Sequence, residues 1–167
     1  MLEIKSFTFN PFQENTYILH NEQKRALIID PGAYFKEEKN ALLAYITEKE
    51  LVPLRLLNTH CHLDHVFSNK LVAEKYNLLP EINKAESDIL ASAVSYGLKY
   101  ELSFEASPAP KKFLNEKDTI KLGEDSLSIF LAPGHSPGSI CFYCEKQNFL
   151  IGGDVLFRES IGRTDLP

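Results

Sequence analysis

The sequence predicts a mixed α+β fold in which sheets pack face to face and helices cover them. Three observations predict it. Strand-like and helix-like stretches alternate through residues 2–98, whereas residues 120–151 read mainly as strands. The chain, 167 residues with 44% hydrophobic content, is long enough to bury a core without disulfides.

The elements follow from local pattern. Residues 2–9, 15–20 and 26–29 read as short strands, separated by the turn-forming pairs Asn10-Pro11 and Asn21-Glu22. The third stops hard at Asp30-Pro31-Gly32. A helix over 36–49 is predicted by Leu42, Leu43 and Ile46, which share one face. Pro53 precedes a strand over 54–58. A second helix over 68–77 carries Phe67, Leu71, Val72 and Tyr76 at helical spacing. A third over 87–98 carries Leu90, Val94 and Leu98, with Ser87 as its N-cap. Residues 101–112 contain Ser107-Pro108-Ala109-Pro110 and read as a surface loop, not a domain boundary. Leu127, Ile129 and Leu131 alternate as in a half-buried strand, and 140–144 with 148–151 form the arms of a hairpin. With no internal repeat or low-complexity segment, residues 1–167 read as one domain.

Composition narrows the function classes. The net charge is -5, from 18 Lys+Arg against 23 Asp+Glu, and no block of basic residues suggests a nucleic-acid partner. No run approaches the roughly 18 apolar residues of a membrane span. The start, Met1-Leu2-Glu3-Ile4-Lys5, lacks the flank and apolar stretch of a signal peptide. Three cysteines without such a leader suggest reduced thiols and a cytoplasmic location. Cys141 and Cys144 have CxxC spacing but sit in a strand, where positions i and i+3 point to opposite faces. They read as packed thiols.

The chemistry concentrates in Thr59-His60-Cys61-His62-Leu63-Asp64-His65. Three imidazoles and a carboxylate follow an apolar strand and precede a helix. On extended backbone His60 and His62 share a face, while Asp64 and His65 lie where the chain turns into the helix. Both pairs can converge beyond the end of the strand, and imidazole nitrogen with carboxylate oxygen suits zinc, iron or manganese. His135 stands between two Pro/Gly pairs in Pro133-Gly134-His135-Ser136-Pro137-Gly138. Alone it is an ordinary loop residue; beside the earlier run it is a candidate ligand. Asp154 ends an apolar strand after Gly152-Gly153, glycines that allow close approach to a metal.

HxHxDH from His60 to His65, Pro-Gly-His-Ser-Pro-Gly-Ser from Pro133 to Ser139, and Gly-Gly-Asp from Gly152 to Asp154 together resemble the metallo-β-lactamase superfamily. Asp30 in Ile-Asp-Pro-Gly matches its early aspartate. Residues 160–167 are similar to a segment of the glyoxalase II-like branch, the thioester hydrolases. The resemblance implies an αβ/βα four-layer sandwich of two mixed sheets flanked by helices. It implies His60, His62 and His135 on one metal, Asp64 and His65 on a second, and Asp154 bridging them. Two zinc ions are implied, with iron or manganese possible. Asp30 would hydrogen-bond the ligand loop or an imidazole N–H, or else cap its own Asp-Pro-Gly turn. Asp64 would orient hydroxide and handle its proton.

The implied reaction is hydrolysis of a small-molecule thioester, such as an acyl-glutathione, with no nucleic acid or membrane as partner. The alternatives are a single-iron persulfide dioxygenase, or a lactonase or β-lactamase of the same superfamily. A flavodiiron-type reductase has Glu where His62 stands. Substrate contacts are not readable, although Tyr96, Lys99, Tyr100 and the Ser-Pro-Ala-Pro loop could line a substrate mouth. The family's second site also takes a histidine from a later turn, and none follows His135. The chain is therefore expected to be C-terminally incomplete, ending before that ligand and the last fold elements, with weak or absent activity as it stands.

Overall fold

The computed structural model describes residues 1–166. Pro167, the last residue of the segment resembling thioester hydrolases, lies outside them. The fold is mixed α+β, built on two main sheets.

The first sheet has six strands in chain order: β1 (Glu3–Phe9), β2 (Glu14–His20), β3 (Arg25–Ile29), β4 (Val52–Leu57), β5 (Pro80–Ile82) and β6 (Lys112–Phe113). β1, β2 and β3 pair antiparallel; β3 to β6 pair parallel. The change of sense follows from the connections. Tight turns join the first three strands, whereas helix-bearing crossovers carry the chain between the later ones. These crossovers hold α1 (Lys36–Glu48), the single turn α2 (Leu63–Val66), α3 (Asn69–Tyr76) and α4 (Ser87–Gly97). The second sheet is antiparallel, in the order β10-β9-β8-β7, from β7 (Thr119–Leu122), β8 (Asp125–Leu131), β9 (Ile140–Cys144) and β10 (Phe149–Ile151). A small hairpin, β11 (Leu156–Phe157) with β12 (Ser160–Ile161), follows.

Strand periodicity sorts the core. Leu19, Leu27, Ile29 and Leu57 point from the first sheet into Ile120, Leu127, Ile129 and Phe142 of the second. Ile18, Ala26, Ile28 and Leu56 point the other way, onto Leu42 and Ile46 of α1 and Val72 of α3. The described residues therefore build helix, sheet and sheet layers, and no helix among them covers the second sheet's outer face. Cys144 lies in the inter-sheet core while Cys141 lies on the opposite side of β9, so the CxxC pair diverges as its strand setting predicts, and both thiols are free. Ile120 is fully buried. Ile120→Val should cost about 0.5–1.5 kcal/mol of unfolding free energy in a denaturant titration.

Several local expectations need correction. Ser87 does not cap α4; it is the first helical residue, Glu86 holds the cap position, and Ser87 Oγ donates to the Lys84 carbonyl. Leu98 lies past α4 and is 62% exposed. The helix over 68–77 is preceded by the separate turn α2, because the chain bends at Phe67-Ser68 to bring His65 inward. The loop over 101–112 ends by pairing Lys112 with Glu81 of β5. Strands β5 and β6 are too short to carry a periodic signal.

Candidate metal centre

Every candidate residue follows the C-terminal end of a strand along one edge of the two sheets. Asp30 follows β3, His60 to His65 follow β4, His135 follows β8, and Asp154 follows β10. This is the rim where strand order and connections leave a crevice. The structure brings all six predicted ligands to this rim. The ligand atoms of His60, His62 and His135 lie within 4.8 Å of one another, as do those of His60, His65 and Asp154. The His62 and His135 rings meet at 2.9 Å between Nδ1 and Nε2. Asp154 reaches His65 Nε2 at 3.3 Å and His135 Nε2 at 3.6 Å, so it stands between the two groups. Asp64 belongs to neither tight group, but its Oδ2 is 3.6 Å from His65 Nε2.

Backbone geometry makes this approach possible. Gly153 adopts φ +52, and a Cβ there would meet Thr59 Oγ at 2.3 Å and His60 Nδ1 at 3.4 Å. Only glycine lets the β10 end lie against the first histidine.

Asp30 organises the imidazoles. It is fully buried, with φ 49, and its backbone N–H donates to the Leu57 carbonyl. Its Oδ1 accepts from Thr59 N at 2.7 Å, and its Oδ2 accepts from Thr59 Oγ at 2.6 Å and lies 3.1 Å from His65 Nδ1. Because Thr59 Oγ spends its proton on Asp30, it accepts from His60 Nδ1 at 3.1 Å. One carboxylate thus holds the Nδ1 side of both His60 and His65, and both Nε2 atoms face the cluster. His135 Nδ1 is held by the Arg163 carbonyl at 2.8 Å.

The electrostatics are those of a cation site. Burial, reinforced by His65, His62 and His135, pushes His60 well below the ordinary histidine range, so its ring is neutral. Burial also pulls His65 down, but the carboxylates around it, Asp64 first and then Asp30 and Asp154, outweigh burial and hold His65 well above that range, so a cation arriving at Nε2 would displace a proton there. Asp154 is lowered: burial raises it, but the positive charge of His65 at 3.3 Å, with those of His135 and His62, prevails. The Nε2 atoms of His60 and His65 are buried without a hydrogen-bond partner. Orphaned ring nitrogens beside acidic oxygens fit a divalent metal, which needs neutral imidazole and carboxylate donors.

Two carboxyls here had no sequence signal. Glu14 opens β2 and is buried; burial, opposed by His65 and aided by Asp30, pushes it up to about 9. Its Oε2 accepts from Thr16 Oγ at 3.0 Å, and its Oε1 lies 3.9 Å from His65 Nδ1. Glu86 is fully buried behind Cys61. Neither belongs to a local motif, so only the fold could reveal them. His20, the remaining histidine, lies away from the cluster and meets Tyr45 Oη at 2.9 Å.

A cavity of about 420 Å³ opens onto the cluster. His62, Asp64, His135 and Asp154 form its polar end. Phe12, Ile89, Ala93, Tyr96, Tyr100 and Phe157 form its apolar wall. Of the predicted substrate-mouth residues, Tyr96 and Tyr100 line it, whereas Lys99 lies over the Tyr96 ring at 5.1 Å. The Ser-Pro-Ala-Pro loop lies elsewhere: Pro108 lines a separate cavity beside α3, and Ser107 Oγ accepts from Asn69 Nδ2. Arg163 also lines the main cavity and forms a two-pronged pair with Asp165, both contacts 2.7 Å. Among the described residues no helix is long and apolar enough to cross a membrane.

The family model of the metallo-beta-lactamase superfamily matches residues 9–167. A probable metallo-hydrolase of Bacillus subtilis, YqgX, is 38% identical over 157 residues, 93% of this chain and 72% of that protein. The hydroxyacylglutathione hydrolase GloC of Haemophilus influenzae is 31% identical over 170 residues, 99% and 77% of the two chains. Among solved structures, the BLEG-1 B3 metallo-beta-lactamase superposes with TM-score 0.86 at 35% identity, covering 99% of this chain and 78% of that one. TTHA1623, solved in a di-iron-bound form, gives TM-score 0.85 at 32% identity, covering 98% and 78%.

Proposed function

The chain belongs to the metallo-beta-lactamase superfamily, and from that premise we propose that it is a metal-dependent hydrolase whose substrate is a small thioester. The observation that carries the reading is the pair of orphaned nitrogens, His60 Nε2 and His65 Nε2, buried beside Asp154 at the end of an apolar cavity. His60, His62 and His135 would hold one metal; His65 and Asp64 would hold a second, with Asp154 between them. Zinc held there would supply a water acidified to a pKa of about 7 and a Lewis acid for the carbonyl.

The chain's own residues supply the rest. Asp30 keeps the imidazoles of His60 and His65 in the tautomer that presents Nε2. Asp64 lines the cavity beside His65, placed to take the proton of the attacking water at Oδ2 and pass it to the departing thiolate. Phe12, Tyr96 and Tyr100 would hold the apolar part of the acyl group and exclude water from it. The likeness to GloC supports a thioester. The likeness to the BLEG-1 lactamase supports a second reading, hydrolysis of a β-lactam.

The test is metal analysis of the purified full-length protein followed by assays on an acyl-glutathione, a simple acyl-thiol and a β-lactam. Thioester cleavage that chelation removes and zinc, iron or manganese restores is the expected result. A metal-loaded protein inert toward thioesters would overturn it. Turnover of the lactam alone would establish the second reading, and sulfide-dependent oxygen uptake with one iron per chain would establish an oxygenase.

A further inference from the structure

Glu86 lies outside the six predicted ligands and does not border the cavity, yet it is a fully buried carboxylate. Burying such a group is costly unless its oxygens are satisfied. Its Oε2 accepts from the Cys61 backbone N–H at 2.8 Å. Its Oε1 accepts from Ser136 Oγ at 2.6 Å and from the Gly138 backbone N–H at 2.7 Å. Cys61 separates His60 from His62, and Ser136 follows His135. Among the described residues, all the hydrogen bonds of the Glu86 side chain therefore go to the two loops that present these three imidazoles, one from the first sheet and one from the second. The fit is close. A Cβ on Gly138 would meet Glu86 Cγ and Oε1, both at 2.9 Å, so only glycine admits the carboxylate here. The base of Glu86 is itself held: its N–H donates to the Asn83 carbonyl, while Asn83 accepts from Ala85 N and donates to the Leu114 carbonyl.

We propose that Glu86 is the positioning residue of the three-histidine group, a clamp that fixes His60 and His62 relative to His135 without touching metal or substrate. The inference rests on reading those histidines as metal ligands. Charge-assisted bonds to backbone N–H groups are short and directional, and a displacement of a few tenths of an ångström is enough to spoil a tetrahedral nitrogen set. In Glu86→Gln the shape is kept, but an amide NH₂ must face a backbone N–H at one end or the other.

The experiment measures zinc affinity by chelator competition, and the visible spectrum of the cobalt-loaded protein, for the wild type, Glu86→Gln and Glu81→Gln. Glu81 is a buried carboxylate paired with Arg55 within the first sheet, and serves as the control. Zinc affinity is expected to fall about 10- to 100-fold in Glu86→Gln, the range for residues that orient ligands, with an altered cobalt spectrum. Glu81→Gln should lower Tm and leave both readouts unchanged. If Glu86→Gln does not fold, Ser136→Ala removes one of the same bonds and should weaken zinc about tenfold. Wild-type affinity and spectrum in the folded Glu86 variant, or in Ser136→Ala where that variant fails, would overturn the clamp while leaving the metal reading intact. A wild-type protein that takes up neither zinc nor cobalt would overturn both.

Discussion

Replacing Asp64 with alanine is expected to lower turnover of the metal-loaded protein on thioesters by about 10²- to 10⁴-fold, the range for loss of a positioned proton acceptor. The fold should survive. The Asp64 backbone carbonyl is held from outside the cluster by Asn10 Nδ2 at 3.0 Å, and Asn10 also donates to the Gly32 carbonyl. These anchors do not depend on the side chain, which faces the cavity. Asp64→Asn should lose nearly as much, since its amide keeps the shape and lacks the basicity. Steady-state kinetics with circular dichroism on the same samples decides the matter: near-normal turnover in a folded variant removes Asp64 from the chemistry.

Asp30→Ala should act chiefly on stability, costing about 3–5 kcal/mol of unfolding free energy, as when one partner of a buried charged network is deleted. The Thr59 N–H and hydroxyl and the His65 ring all lose their acceptor at once, in a site closed to water. Alanine also tolerates the local φ of 49 less well than aspartate. Urea titration of the metal-free protein reads the loss directly. A cost below about 1 kcal/mol, the net value of a single ordinary hydrogen bond, would show that the network relaxes around the gap.

What the sequence made legible was whatever is written locally. Strands β1 to β3 are short apolar runs bounded by turn residues, Leu127 and Ile129 of β8 alternate with serines, and α1 carries Leu42 and Ile46 on one face. HxHxDH packs four donors into one loop, and Pro/Gly pairs mark the His135 turn. The rest depended on distant partners. Strand β5 is three residues, Pro80–Ile82, and Glu81 at its centre is buried with its charge met by Arg55, 26 positions away. Glu14 carries no motif, and Glu86 acquires its role from partners 25, 50 and 52 positions distant. A carboxylate satisfied by backbone N–H groups of two remote loops looks, in a sequence, like any surface glutamate.

The split origin of the imidazoles has a consequence for biosynthesis. His62 and His135 stand 73 positions apart, on loops leaving different sheets. A chain emerging from the ribosome displays HxHxDH while the second sheet is still unmade, and contacts of such separation form late because loop closure must be met first. The full donor set therefore comes into being only when the sheets dock. If these residues hold metal as proposed, uptake of the full complement would follow the docking of the two sheets.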